Sequence, residues 1–296
     1  MENRLKKLGT AEIDIVETTP VVFGGRLYVF EWYRNFSAEN KIGVNKGCYR
    51  FMDVETKEYT PCFAHGHTFG SAFTENGKMY VFATDDWGSD KIEIFVSDNL
   101  TDWEIKSVFY LPEGWKMYNT SVCRGENGYV MAIEISDPPE LTGHPFTNVF
   151  AVSDDLLNWE LYKPETCVHT KDRYSACPVI RYVGGCYYMI YLEGIPLSKY
   201  VPYIARSKDL ENWEVAEKNP VFFYSDEDKL LWREFDEKEK AKIEKALNIN
   251  NSDVDLCEYK GKTFITYSWG NQHGTEFLAF AEYDGSLKEF FEAYFN

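Results

Sequence analysis

The decapeptide SDNLTDWEIK at residues 97–106 returns as SDDLLNWELY at 153–162 and as SKDLENWEVA at 207–216. A phrase that recurs about 55 residues apart restricts the fold to stacked or radially arranged copies of one unit. A second pattern raises the count of units. TTPVVFGGRLYVFEW (18–32), GSAFTENGKMYVFATD (70–85), TSVCRGENGYVMAIEI (120–135), ACPVIRYVGGCYYMIYLE (176–193) and VDLCEYKGKTFITYSW (254–269) share one design. Each is an apolar strand, a glycine turn and a second apolar or aromatic strand. Gly25, Gly77, Gly128, Gly185 and Gly261 supply the positive φ of a tight hairpin. Five units are therefore present.

Each unit reads as a four-stranded meander. The third strand ends at the Ser-x-Asp/Asn-Leu phrase, whose side chains favour a turn. The fourth starts at Trp103, Trp159 or Trp213, with the tryptophan wedged between neighbouring sheets. Four-stranded units repeated radially make a β-propeller. The expected fold is all-β: one domain over 1–296, a five-bladed propeller of four-stranded antiparallel blades. A helical insertion at about 226–249 separates blades 4 and 5, with DEKEKAKIEKALNI (236–249) as its helix. The chain end, YDGSLKEFFEAYF, starts like the repeat but finishes as a short helix. The last blade then lacks a strand, which AEIDIVE (11–17) is placed to supply.

Composition narrows the function. Acidic side chains number 48 and basic ones 31, a net charge of −17 that repels phosphate backbones and argues against nucleic-acid partners. No apolar run approaches the roughly 18 residues of a membrane span. The start, MENRLKKLGT, has no apolar signal region. The seven cysteines are odd in number and form no CxxC pair, so reduced thiols in a cytoplasm are expected. Aromatic residues reach 17%, which suits pleated strands and offers faces for sugar rings.

In a meander, the first strand starts and the second strand ends on the same face of the disc. Polar residues at those points therefore gather at one end of the channel. At first-strand starts stand Glu17, His67, Asn119, Arg173 and the pair Asp253 and Asp255. At second-strand ends stand Glu134, Glu193 and the loop WGNQHG, with Trp269, Asn271 and His273. Clustered carboxylates perturb one another's proton affinity, as acid–base chemistry or cation binding requires.

These five hairpins with their S-x-D-L-x-x-W-E phrase resemble the five-bladed β-propeller glycosidases, glycoside hydrolase families 43, 32, 117 and 130. The resemblance covers the whole chain and implies glycoside cleavage or phosphorolysis at the central depression. It places Glu17 where families 43 and 32 carry an Asp, and Asn119 where a third-blade Asp stands. Glu193 is the nearest match to the fourth-blade acid. The Arg-Asp-Pro motif of family 32 is absent, so the chain reads as a divergent member.

The expected function is an exo-acting, inverting glycoside hydrolase on a small oligosaccharide or glycoside. Glu17 or Asp253 serves as base, and Glu193 or Glu134 as acid. His67, Asn119, Arg173, Asp255, Trp269, Asn271 and His273 position the sugar. No cofactor is required and no metal ligands are assigned, although a divalent cation near the axis is compatible with the acids. The rivals are a glycoside phosphorylase and a non-catalytic carbohydrate-binding propeller.

Overall fold

The computed structural model describes residues 4–34, 47–195 and 200–295. Among the described residues, nineteen strands form five sheets arranged as the blades of a propeller. Strand β1 (Leu5–Ile13) comes first in the chain but belongs to the last blade. Blade 1 holds β2 (Thr18–Phe23), β3 (Arg26–Tyr33) and β4 (Cys48–Asp53). Blade 2 holds β5 (Thr68–Glu75), β6 (Lys78–Thr84), β7 (Lys91–Ser97) and β8 (Glu104–Tyr110). Blade 3 holds β9 (Lys116–Gly125), β10 (Gly128–Asp137), β11 (Thr147–Ser153) and β12 (Glu160–Leu161), with a one-turn helix α1 (Pro139–Thr142) between β10 and β11. Blade 4 holds β13 (Ala176–Val183), β14 (Cys186–Gly194), β15 (Tyr200–Ser207) and β16 (Trp213–Val215). A 3-10 turn (Asp226–Lys229) and α2 (Glu237–Lys245) follow. Blade 5 holds β17 (Asn250–Tyr259), β18 (Lys262–Gly270) and β19 (Phe277–Tyr283), and α3 (Leu287–Glu292) follows it.

The five first strands line the axis: β2 touches β5, β5 touches β9, β9 touches β13, β13 touches β17, and β17 returns to β2. Strand β1 pairs antiparallel with β19, so the N-terminal strand closes the ring. The closing strand begins at Leu5 and shares only 11–13 with the expected 11–17. Residues after Ile13 are drawn toward the axis instead, where Asp14 and Glu17 are needed.

The repeated phrase is a turn held by its own side chains. Ser97, Ser153 and Ser207 Oγ accept the N–H of Leu100, Leu156 and Leu210 at 2.9, 3.0 and 2.9 Å. Asn99, Asp155 and Asp209 each accept two further backbone N–H groups. This bonding holds the three leucines in the left-handed region, at φ 65, 67 and 66°. The tryptophans then pack against the preceding blade. Trp103 stacks on Phe63 at 3.9 Å, Trp159 meets Phe82 at 5.7 Å edge-on, and Trp213 stacks on Phe150 at 5.6 Å.

Blade 1 differs from the expected four-strand ladder. Among the described residues its outer segment forms no continuous strand and meets β4 at the isolated bridges Tyr49–Phe63 and Met52–Tyr59. Pro61 has no N–H to donate between them, and the Thr60 hydroxyl replaces a ladder carbonyl as acceptor for Phe51 N. That pairing also overturns the expectation of seven reduced thiols. It brings the Cα atoms of Cys48 and Cys62 to 5.8 Å, and the two are joined as a disulfide.

The insertion helix is shorter than its sequence pattern. Asp236 caps its start in a capping box with Glu239. After Lys245 the chain turns extended, because Asn248 is bonded to Ser225 O and Asp228 Oδ2. Among the described residues, no helix is long and apolar enough to cross a membrane.

Candidate active site

The start of each first strand delivers one residue to the axis: Glu17, Phe69, Asn119, Cys177 and Asp253, from blades 1 to 5. In blades 2, 4 and 5 the delivering residue interrupts the ladder. Phe69, Cys177 and Asp253 lie at register shifts with φ of 41, 47 and 49°. A bulge with a left-handed residue re-aims its side chain out of the sheet alternation. All five residues line one depression of ≈ 380 Å³. Beneath it the channel narrows to ≈ 30 Å³ between Thr18, Thr120, Val179 and Val254.

One side of the depression is aromatic. Trp87, Tyr118, Phe146, Tyr174 and Tyr200 form a chain of ring contacts with centroids 5.9, 4.9, 5.9 and 4.9 Å apart. Trp87 is 56% exposed and rests on Phe69 at 4.8 Å. The remainder is acidic, with Asp14, Glu17, Glu134, Asp253 and Glu276 in the lining.

The carboxylates are individually held. Glu134 Oε2 accepts Asn119 Nδ2 at 2.8 Å and Cys177 N at 2.9 Å, tying the floors of blades 3 and 4 together. Burial nevertheless pushes the Glu134 carboxyl up to about 7. Glu276, on the loop between β18 and β19, is likewise pushed up to about 7 by burial, with the Asp253 charge adding to it. Glu17 is raised by burial, opposed by Arg34 at 3.6 Å and assisted by Asp253. Asp253 accepts Ser268 Oγ at 3.2 Å. It is the common neighbour: its charge acts on Glu17, Glu134, Glu276 and the Cys177 thiol.

The structure brings Glu17, Asn119, Glu134 and Asp253 together and sends the other expected site residues elsewhere. Glu193 follows the lining residue Leu192 in β14, so strand alternation turns it away; it accepts Arg173 Nε at 3.1 Å. Arg173 is thereby tied to Glu193 outside the lining, while its neighbour Tyr174 enters. His67 is bonded to Glu93 at 2.7 Å and packs edge-on to Phe95. Asp255 lies in the channel below, buried against Arg181 Nη2 at 2.5 Å. Trp269 is fully buried, stacked on Phe277 at 4.4 Å with its indole donating to Thr10, and offers no face to a sugar. Asn271 and His273 face a separate groove against α2.

Glu276 was not among the expected residues, nor were Asp14 and Cys177. Glu276 stands two residues beyond WGNQHG, and its place next to β19 gave no periodic signal. Among the described residues, no three His, Cys, Asp or Glu side chains are grouped to hold a metal ion.

A raised carboxyl is also a statement about stability. Glu134 binds its proton more tightly folded than unfolded, so its contribution is full below about 4.5 and is lost as pH rises through about 7. Glu134→Gln is therefore expected to stabilise the protein at pH 8, by up to about 3 kcal/mol, and to change little at pH 4. Urea denaturation at both pH values checks this.

No protein-family profile matches the chain, and no curated protein matches it in sequence. Solved structures do match in fold. An α-L-arabinofuranosidase of glycoside hydrolase family 43 from Clostridium thermocellum aligns at 13% identity and TM-score 0.57, over 85% of this chain and 81% of that one. A family 43 β-xylosidase/α-arabinofuranosidase from a compost metagenome, solved with xylotriose, aligns at 16% and 0.57, over 94% and 93%. A xylan β-1,4-xylosidase from Bacillus halodurans aligns at 14% and 0.60, over 90% of this chain but 52% of its own. The chain thus spans about half the length of some of these enzymes and nearly all of others. At such identities the likeness establishes the shared five-bladed fold.

Proposed function

We propose that this protein is a glycoside hydrolase that removes a terminal sugar from a small oligosaccharide or glycoside by inverting, single-step displacement. The observation that carries the reading is the meeting of Glu17, Glu134, Asp253 and Glu276, from three blades, in one depression beside an aromatic wall. Hydrolysis needs one carboxyl that keeps its proton at neutral pH and one carboxylate that takes a proton from water. Burial supplies the first in Glu134 and Glu276. Asp253, at the centre of the cluster, is the base. The narrowing below the depression supports a dead-end pocket, and hence exo action. The aromatic wall stacks on the apolar face of the sugar ring while the acids meet its hydroxyls.

Phosphorolysis fits less well. Among the described residues, Arg34 is the sole basic side chain in the lining, and Glu17 already occupies it at 3.6 Å. An incoming phosphate meets carboxylates elsewhere. The test is a panel of aryl glycosides with and without phosphate, with product anomers followed by NMR. The fold neighbours act on arabinose and xylose linkages, so α-L-arabinofuranosides and β-xylosides come first. Expected are turnover independent of phosphate and of a chelator, and a first-formed product of inverted configuration. Phosphate-dependent turnover would establish the phosphorylase. Sugar binding without turnover would establish a lectin-like role.

A further inference from the structure

We propose that the proton donor is Glu276 of the fifth blade, not a residue of the fourth blade, where the resemblance to propeller glycosidases would place it. The inference rests on the hydrolase reading above. Among the described residues, blade 4 and the segment leading into it give the depression only Tyr174, Cys177, Leu192 and Tyr200, none a carboxyl. Glu193 is tied to Arg173. The acid must therefore come from another blade.

Glu276 is built for the task. Its Oε1 accepts two backbone N–H groups, from Asn271 at 3.1 Å and Gln272 at 2.6 Å, which fixes the carboxyl plane. Its Oε2 is buried and has no hydrogen-bond partner among the described residues, although the side chain lines the depression. The residue as a whole is 7% exposed. Gly270 makes room for it: a Cβ there would stand 2.5 Å from Oε2. The loop is anchored in turn, since Asp14 N donates to Glu276 O at 2.9 Å. A buried oxygen without a partner is costly unless it carries a proton or meets a ligand. Glu134 is the contrasting case. Its two N–H donors come from the floor residues Asn119 and Cys177, so it acts as a positioning group that joins two blades.

The step balances within the pocket. The proton on Glu276 Oε2 passes to the glycosidic oxygen as the C1–O bond breaks and its electron pair goes to the leaving group. Water attacks C1 from the opposite side and gives its proton to Asp253. Glu276 ends ionised and Asp253 protonated, and exchange with solvent resets both.

Leaving-group dependence tests this. Proton donation matters for an alkyl leaving group and hardly at all for 2,4-dinitrophenolate. At pH 6, Glu276→Gln is expected to lower kcat/KM on a methyl glycoside by about 10²–10⁴-fold. On the dinitrophenyl glycoside the loss should stay under about tenfold, and the decline of the wild-type rate on the methyl glycoside above pH 7, where Glu276 ionises, should be absent from Glu276→Gln. Glu276→Asp, which keeps a carboxyl, should recover part of the methyl glycoside activity. Equal losses on both substrates, or leaving-group dependence in Glu134→Gln but not in Glu276→Gln, would overturn the assignment and leave the hydrolase reading standing. A wild type that cleaves no glycoside would overturn the reading itself, and this inference with it.

Discussion

Asp253→Asn is expected to lower turnover by about 10²–10⁴-fold while leaving the fold intact. Asparagine is close to isosteric with aspartate, and it tolerates the left-handed φ of 49° that the bulge in β17 imposes. A loss of rate is therefore a loss of the carboxylate and not of the strand. The substitution also has a consequence that does not depend on turnover. The Asp253 charge raises the proton affinity of Glu17, Glu134 and Glu276. Its removal should move all three titrations to lower pH, which NMR of glutamate-labelled protein can follow. An unchanged set of titrations would show that Asp253 does not sit among these carboxyls electrostatically. Unchanged kcat would remove it as the base.

The fold was legible in the sequence because the repeat encodes it locally. Ser97, Ser153 and Ser207 form the same turn from their own side chains, and the turn glycines mark each hairpin without reference to distant residues. The site was legible only in part. The rule that first-strand starts face the axis leads to Glu17, Asn119 and Asp253, which line the depression. It failed in blades 2 and 4, where His67 and Arg173 were expected and Phe69 and Cys177 arrive. A bulge of the same kind lies at Asp253 in blade 5, where the expected residue does line the depression; in blades 2 and 4 the residue turned inward stands two and four positions past the expected one, and no composition signal announces that offset. Glu193 was misplaced by strand alternation, one residue past Leu192. Trp269 shows the opposite limit. A tryptophan next to a polar loop looks like a sugar platform, but its indole is used to bond Thr10 of the closing strand. Glu276 was invisible because its qualification is tertiary, a pair of loop N–H groups and the absence of a side chain at Gly270.

The closing strand carries the second large effect, at Asp228. This carboxylate, in the insertion between blades 4 and 5, is fully buried. Its Oδ1 lies 2.6 Å from Lys7 Nζ of β1 and accepts Tyr267 OH of β18 at 2.7 Å. Its Oδ2 accepts Ser225 N at 2.9 Å and Asn248 Nδ2 at 2.8 Å. Thr10 Oγ1 donates to its backbone carbonyl at 2.7 Å. One residue thus joins the strand that closes the ring, the second strand of the last blade and the insertion. Burial lowers the proton affinity of Lys7, and the Asp228 charge opposes that fall. Asp228→Ala leaves Lys7 as a buried cation without its carboxylate and is expected to cost about 3–5 kcal/mol in urea denaturation. Removing both charges should cost much less, because no uncompensated ion is left behind. Lys7→Met with Asp228→Leu is therefore expected to be more stable than Asp228→Ala alone. If the double variant were the weaker one, the network would owe its value to the hydrogen bonds from Tyr267, Ser225 and Asn248, not to the ion pair. In either case the insertion is a clasp on the ring. It also steadies the site, since β1 runs on through Asp14, whose N–H holds the loop that presents Glu276.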